Sequence, residues 1–539
     1  MGALTLKSFP FELRGWDIEK LESIDPTDGF GSDTRAYVSK DQIVQIEPDY
    51  NIHTTNTWLT DKGRQFFDGI FGTWSKNKNF EKTDYDTPSW LSIIKSITRT
   101  LYMFEHCITQ QYNKNYLIIV FENLSIELVS LLTILSEKNS FIKLRRAENF
   151  KVNNNLEANL QINLAYDKVK LNNSNLCLLI STNPRYEGYY LNLNLRQRYL
   201  KGNFKCLIIG SLIDLTFPIS FLGSNLSVLK TIVEGNNLVC QEFKSSKNPI
   251  LIYNYELLKR NDFKNNLEMI KILKYANIVS KIWNGLNTLS PSLNETGTQI
   301  LNKFLPLTEK DLINFSSLYF LNISTNNLTN LKKITDLKLL NYKNSTTKNQ
   351  LFLDQTSINN SNFEFFKNIN KSDKNKFKDY IYLPSSMFYE NEETFINTEG
   401  FIKRTTKLIF RKKTKNNWKI LRRVFKHLKS NTVSLNEKDN NLISYNSKKI
   451  NNFRNYINFQ YQATKTLTNV NFYLSFKNEN FIFTNKFSNF KQNRSKIKLT
   501  KLKYWIDDFY NGGKDEYSQN SLILSNCSKI LRTKSTNFF

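Results

Sequence analysis

The sequence predicts an α/β protein with parallel-sheet domains, preceded by a small β-rich N-terminal domain. Two patterns predict this. From Asn79 onward, short apolar runs of strand length recur with helix-length spacers, as parallel strands joined by crossover helices require. Ahead of that, residues 1–64 are dense in short strand and turn signals.

Taken in order, the apolar bursts Ala36-Tyr37-Val38 and Ile43-Val44-Gln45-Ile46 follow a turn over Gly29–Gly31. A helix is expected over Ser89–Phe104, then a strand at Tyr116–Phe121 and a helix at Leu124–Ser136. A strand at Leu176–Ser181 leads through the loop Thr182-Asn183-Pro184-Arg185 into a helix near Leu191–Leu200 and a strand at Lys205–Ile209. Further strands are expected at Ile250–Tyr253, Leu318–Ile323, Leu351–Leu353 and Tyr380–Leu383. Residues 324–378 turn Asn-, Lys- and Ser-rich and read as polar insertions. The expected organisation is therefore a β-rich domain over 1–64, an α/β region over 65–430, and a linker with a less ordered C-terminal extension over 431–539.

At 539 residues the chain is too long for one hydrophobic core. Its 40% hydrophobic and 23% charged residues allow packed interiors. The excess of Asn, Lys, Phe, Ile and Tyr is the bias that A+T-rich codons give, as in many organelle genomes. The net charge of +27 concentrates in Lys403–Lys429 and Arg494–Lys503. Such a field favours an acidic partner or a lipid surface. Nucleic acid is not expected, because no recognition motif accompanies the charge. An organellar ribosomal or RNA-binding protein is the alternative that charge alone suggests.

The five cysteines, Cys107, Cys177, Cys206, Cys240 and Cys527, form no CxxC pair, which removes zinc ribbons and local iron–sulfur runs and fits a reducing compartment. His53, His106 and His427 have no ligand partner at metal-binding spacing. No Walker loop, GxGxxG, GxSxG or HExxH is present, so no catalytic residue and no metal ligand is assigned. The most apolar stretch, Leu117–Leu135, is broken by Glu122, Asn123 and Glu127 and reads as strand plus helix, so no direct membrane span is expected. The opening residues have neither a signal-peptide core nor a basic amphipathic presequence, so a protein at work in an organelle would be made there or imported by another signal.

A set of short matches carries a resemblance. It comprises Gly2-Ala3-Leu4-Thr5, Trp16, Glu22-Ser23-Ile24-Asp25, Asp28, Gly31-Ser32, Trp58-Leu59-Thr60-Asp61-Lys62 and Thr182-Asn183-Pro184-Arg185-Tyr186-Glu187. It continues through Ile209-Gly210-Ser211, Asp214-Leu215-Thr216, Leu222-Gly223, Lys259-Arg260-Asn261-Asp262, Leu383-Pro384, Asn397-Thr398-Glu399-Gly400 and Trp418-Lys419-Ile420. In order and spacing these are similar to the molybdopterin-oxidoreductase-like part of the largest peripheral-arm subunit of respiratory complex I. The resemblance implies a molybdopterin-oxidoreductase-like fold.

It also marks two degenerate sites. Where the wider family places four cluster-binding cysteines, this sequence has Asp25, Asp28, Ser32 and Thr60. Iron–sulfur clusters need soft thiolates, and oxygen side chains are poor substitutes. At the pterin loops the sequence offers Glu122 after the strand at 116–121, where an anion would sit, and Asn397, Glu399 and Gly400 followed by Phe401 in place of the usual Arg. The expectation is that this chain holds no cofactor. Met1 takes the position of Val in the family's Cys-Pro-Val-Gly-Ala-Leu-Thr, which implies a subunit encoded in two pieces or a fragment. In the first case an iron–sulfur N-terminal companion polypeptide carries the clusters.

Functionally the resemblance implies a structural core subunit of mitochondrial NADH:ubiquinone oxidoreductase, on the matrix side of the inner membrane and organelle-encoded. Proton-translocating NADH:ubiquinone reduction would belong to the whole complex, and this chain would itself be non-catalytic. Its partners would be the companion and other peripheral-arm subunits. A working molybdopterin-dependent oxidoreductase is the other alternative.

Overall fold

The computed structural model describes, with short interruptions, residues 13–49, 58–69, 116–147, 171–257, 269–322, 350–354, 380–423 and 521–536. The helix expected over Ser89–Phe104 lies outside them, as does most of 324–378.

The first unit is an antiparallel sheet of β1 (Glu19–Ile24), β2 (Asp33–Ser39) and β3 (Gln42–Pro48), followed by the short helix α1 (Asp61–Gln65). Both apolar bursts read from the sequence become strands. Their connection turns on Lys40 and Asp41, two residues in the left-handed region at φ 47° and 62°, where Asp and Asn are tolerated better than bulkier residues.

Next come β4 (Tyr116–Phe121), helix α2 (Ile126–Lys138) and β5 (Ile142–Arg146). The chain then builds a separate five-stranded sheet from β6 (Leu176–Ile180), β7 (Lys205–Ile209), β8 (Ser220–Gly223), β9 (Pro249–Asn254) and β10 (Leu286–Leu289). Its described helices include α3 (Pro184–Glu187), α4 (Tyr189–Leu200), α5 (Leu226–Val233) and α6 (Val239–Ser245). The strand order is β10-β9-β6-β7-β8, all parallel. After helix α7 (Glu295–Leu301) the chain returns to the sheet it left, adding β11 (Leu305–Pro306), β12 (Phe315–Leu321), β13 (Gln350–Asp354) and β14 (Tyr380–Leu383). That sheet runs β11-β5-β4-β12-β13-β14, again all parallel. The five-stranded unit is therefore an insertion within the six-stranded one. Within the polar region 324–378, β13 is an interior strand rather than part of a surface excursion.

Parallel strands covered on both faces must be apolar throughout. In β6 (Leu-Cys-Leu-Leu-Ile) every residue is buried. Leu176, Leu178 and Ile180 face α5 and α6, while Cys177 and Leu179 face Tyr190, Leu191 and Leu195 of α4. In the six-stranded sheet Leu117, Ile119 and Phe121 pack on Leu128, Val129 and Leu132 of α2, and on Trp418, Ile420 and Leu421. The segment 182–185, expected as loop, instead starts α3 with Pro184 at its first turn, where a missing N–H costs nothing.

The hairpin of β15 (Thr394–Ile396) and β16 (Ile402–Arg404) returns to the N-terminal unit. So does the last helix, α8 (Leu522–Thr536). One apolar cluster joins Ala36, Val38, Ile43 and Ile46 of β2 and β3 to Phe66, Tyr389, Leu408 and Leu524. The residues expected as a poorly ordered tail thus supply a docked helix. Its N-terminus is capped twice. Ser521 Oγ accepts the Leu524 N–H at 3.2 Å, and Asp68 Oδ2, just beyond α1, accepts the N–H groups of Leu522 at 3.0 Å and Ile523 at 3.2 Å. Helix N-termini expose unsatisfied N–H groups and positive dipole charge, so a carboxylate there is stabilising.

Replacing Asp68 by Ala removes that distant cap. The expected loss is about 1 kcal/mol of stability, measured by denaturant unfolding, with α8 becoming the first segment cut in limited proteolysis.

Candidate functional site

The β1–β2 connection, Asp25–Ser32, is built by two aspartate turns. Asp25 Oδ1 accepts the Thr27 N–H at 2.8 Å, and Asp28 Oδ1 accepts those of Phe30 at 3.0 Å and Gly31 at 3.1 Å. The Asp25 N–H then closes the loop on the Ser32 carbonyl at 2.9 Å. Gly31 has φ +57°, the left-handed conformation that favours glycine. Gly29 is needed for space, since a Cβ there would lie 2.0 Å from the Ser290 carbonyl oxygen.

The structure brings all four degenerate cluster positions together. Asp25, Asp28 and Ser32 are buried within the connection. Thr60 caps α1, its Oγ1 accepting the Gly63 N–H at 2.9 Å. Gly63 in turn faces Asp25, whose Oδ2 would stand 2.3 Å from a Cβ on that glycine. The ring of Tyr189, from the start of α4, completes the enclosure. Its hydroxyl lies 2.7 Å from Ser32 Oγ and 2.8 Å from the Trp58 carbonyl oxygen. Burial, and next the charge of Asp28, raise the Tyr189 phenol well above its ordinary range. Burial, then the neighbouring Asp25, push Asp28 up to about 8; the Gly31 and Phe30 N–H groups and Lys62 pull the other way without cancelling this.

These residues do not fit an iron–sulfur cluster. Every side-chain donor is oxygen, and Asp25, Asp28 and Thr60 each spend an oxygen on a backbone N–H that shapes the loop or caps the helix. Among the described residues no group of three or more His, Cys, Asp or Glu is arranged to hold a metal ion.

The second set of positions lies partly against the first. Asn397 folds the β15–β16 turn on itself: its Oδ1 accepts the N–H groups of Glu399 at 3.1 Å and Phe401 at 2.8 Å, and its Nδ2 donates to the Phe30 carbonyl at 3.1 Å and to Glu399 Oε2 at 3.2 Å. Gly400 takes φ +90° to complete the turn. The Thr398 N–H donates to the Gly29 carbonyl at 2.8 Å, and Thr398 Oγ1 accepts the Ser290 N–H at 3.0 Å. Glu122, by contrast, is placed by β4, buried at its carboxyl end.

Several residues at the same junction carry no local sequence signal. Arg146, ending β5, pairs with Glu295, opening α7, and both side chains are almost wholly buried. Asn294 donates to the Leu124 carbonyl and accepts the Ile396 N–H at 2.8 Å. Thr296 Oγ1 donates toward the Asn397 carbonyl at 2.8 Å, and Glu127 Oε2 accepts the Thr394 N–H at 3.1 Å. Beyond β6, the carboxylate of Glu187 accepts the Asn183 N–H at 3.0 Å and the Asn254 amide at 2.6 Å. Ligands of open parallel sheets sit outside the carboxyl ends of the strands. Among the described residues at those ends, Glu122, Glu187 and Glu295 are buried acids, and the buried Arg146 is paired with Glu295. Buried acids of this kind do not fit the pyrophosphate of a pterin dinucleotide, which binds open N–H groups or unspent cations.

A family model described as molybdopterin oxidoreductase matches residues 93–427. Among curated relatives, the NADH-ubiquinone oxidoreductase 75 kDa subunit of Reclinomonas americana is 28% identical over 78% of this chain and 59% of its own length. The mitochondrial NADH dehydrogenase [ubiquinone] iron-sulfur protein 1 of Solanum tuberosum is 24% identical over 74% of this chain and 50% of its own. The mitochondrial NADH-ubiquinone oxidoreductase 78 kDa subunit of Neurospora crassa is 24% identical over 79% and 54%. The chain thus spans little more than half the length of the curated relatives it matches.

The buried Arg146–Glu295 pair offers a direct test of what holds the junction. Glu295→Gln removes the charge that faces the buried Arg146 guanidinium and is expected to cost about 3 kcal/mol in denaturant unfolding, whereas Arg146→Met with Glu295→Leu restores most of the loss.

Proposed function

The chain belongs to the molybdopterin oxidoreductase family, and from that premise we propose that it is a structural subunit of the peripheral arm of NADH:ubiquinone oxidoreductase, holding no redox cofactor of its own. The observation that carries this reading is the chemistry at the cluster positions. Asp25, Asp28, Ser32 and Thr60 stand together, yet they offer oxygen where a cluster needs thiolate sulfur, and each has an oxygen engaged in a turn, a helix cap or a contact with Tyr189. The names of the relatives support the assignment to this complex.

In this reading electrons travel through clusters held by an iron–sulfur companion polypeptide and by neighbouring peripheral-arm subunits. The chain's contribution is mechanical, because electron transfer between fixed centres depends on their spacing and a braced junction preserves it. The work is done in mitochondria, on the matrix face of the inner membrane, consistent with relatives named as mitochondrial and with a composition typical of organelle genes. Among the described residues no helix is long and apolar enough to cross a membrane. The excess positive charge of +27 suits acidic faces on partner subunits.

The test is native-gel electrophoresis of solubilised mitochondrial membranes. The chain is expected to co-migrate with NADH dehydrogenase activity, and the isolated chain to contain neither iron nor molybdenum in stoichiometric amount. Stoichiometric molybdenum or tungsten with a pterin would establish a working oxidoreductase instead. Migration apart from that activity, with RNA bound in a steeply salt-dependent way, would establish an RNA-binding role.

A further inference from the structure

The pocket formed at these positions crowds two carboxyl groups. Asp25 and Asp28 are both buried there, and among the described residues Lys62, on α1, is the cation that acts on Asp28. The other described titratable groups facing the pocket are paired or neutral. Asp33, on β2, is paired with Lys403 of β16 at 2.6 Å, and Tyr189, on α4, is held neutral. Asp28 is 6% exposed, and its two oxygens are treated differently. Oδ1 receives the two N–H groups that shape the turn, while Oδ2 is buried without a hydrogen-bond partner. An ionised carboxylate needs acceptor bonds on both oxygens to compensate its lost hydration. A neutral acid leaves one O–H donor unmatched there, which costs far less than a buried charge that lacks half its acceptor bonds.

We propose that Asp28 carries a proton in the folded protein at neutral pH, and that this proton takes over the neutralising role a metal centre would have at the junction of the N-terminal sheet, α1 and α4. The inference goes beyond the subunit role proposed above and does not depend on it. Its consequence is a dependence of stability on pH with a definite sign. In the unfolded chain Asp28 ionises at an ordinary carboxylate value of about 3.9, but in the folded protein burial and Asp25 delay ionisation to about 8. Between these values the native state binds the extra proton. The stabilisation is therefore complete below the lower value, falls as pH rises, and is gone once pH has passed the upper one.

The test is thermal unfolding of the full-length chain from about pH 5 to about pH 9, for wild type and Asp28→Asn. Asn keeps an Oδ1 acceptor for Phe30 and Gly31 but has no charge to acquire. The melting temperature of the wild type should fall across this range, and the variant should be spared several degrees of that fall, the gap widening with pH. Identical pH courses for the two proteins would overturn the proposal. So would a wild-type melting temperature at pH 7 that climbs with added Mg²⁺ or Ca²⁺ while Asp28→Asn does not respond, since a cation rather than a proton would then balance the pocket at neutral pH. Infrared spectra of the wild type decide the matter even where the variant fails to fold. A protonated-carboxyl band should be present at pH 7 and absent at pH 9, and its absence at pH 7 refutes the inference.

Discussion

The arrangement of this molecule depends on one close backbone approach. Gly29 has no side chain, so its main chain can lie against Ser290, and its carbonyl accepts the Thr398 N–H. Thr398 in turn accepts from the Ser290 N–H. Three segments far apart in sequence, from the first sheet, the end of β10 and the β15–β16 turn, are thereby fixed at one point. The interactions around it follow from that contact. Asn397 reaches Phe30, Asn294 and Thr296 reach the hairpin strand, and Glu127 reaches Thr394. Many buried polar bonds of this kind individually contribute little, but each is costly to leave unmade. The junction is consequently specific in geometry rather than merely sticky.

The interior strands were legible in the sequence because physics left them little freedom. Leu-Cys-Leu-Leu-Ile of β6 and Tyr-Leu-Ile-Ile-Val-Phe of β4 are covered on both faces, so nearly every position had to be apolar. The strand β5, Ile-Lys-Leu-Arg-Arg, was not legible. Its charges look like surface residues until Arg145 is seen against Asp311 and Arg146 against Glu295, partners more than 140 residues away. The same limit applies to β10, where Asn287 and Thr288 sit buried in a strand of four residues. Local pattern cannot report a partner that tertiary structure brings in.

The candidate site divides along the same line. Asp25, Asp28, Ser32 and Thr60 were picked out by resemblance to a ligand pattern, and the structure does gather them. Tyr189, whose ring closes the pocket, had no motif to mark it, and Lys62 was noticed as part of a match without its electrostatic role. For Asn397 and Gly400 the residue types fit the geometry of a tight turn, and that geometry accounts for them without a bound cofactor.

Asp68 and Ser521 meet across a sequence separation of 453 residues. A ribosome therefore has to release this whole intervening stretch before the unit around Asp68 can close its apolar cluster on Leu524. Until then Phe66 and its neighbours remain uncovered, and chaperones have a long interval in which to find them.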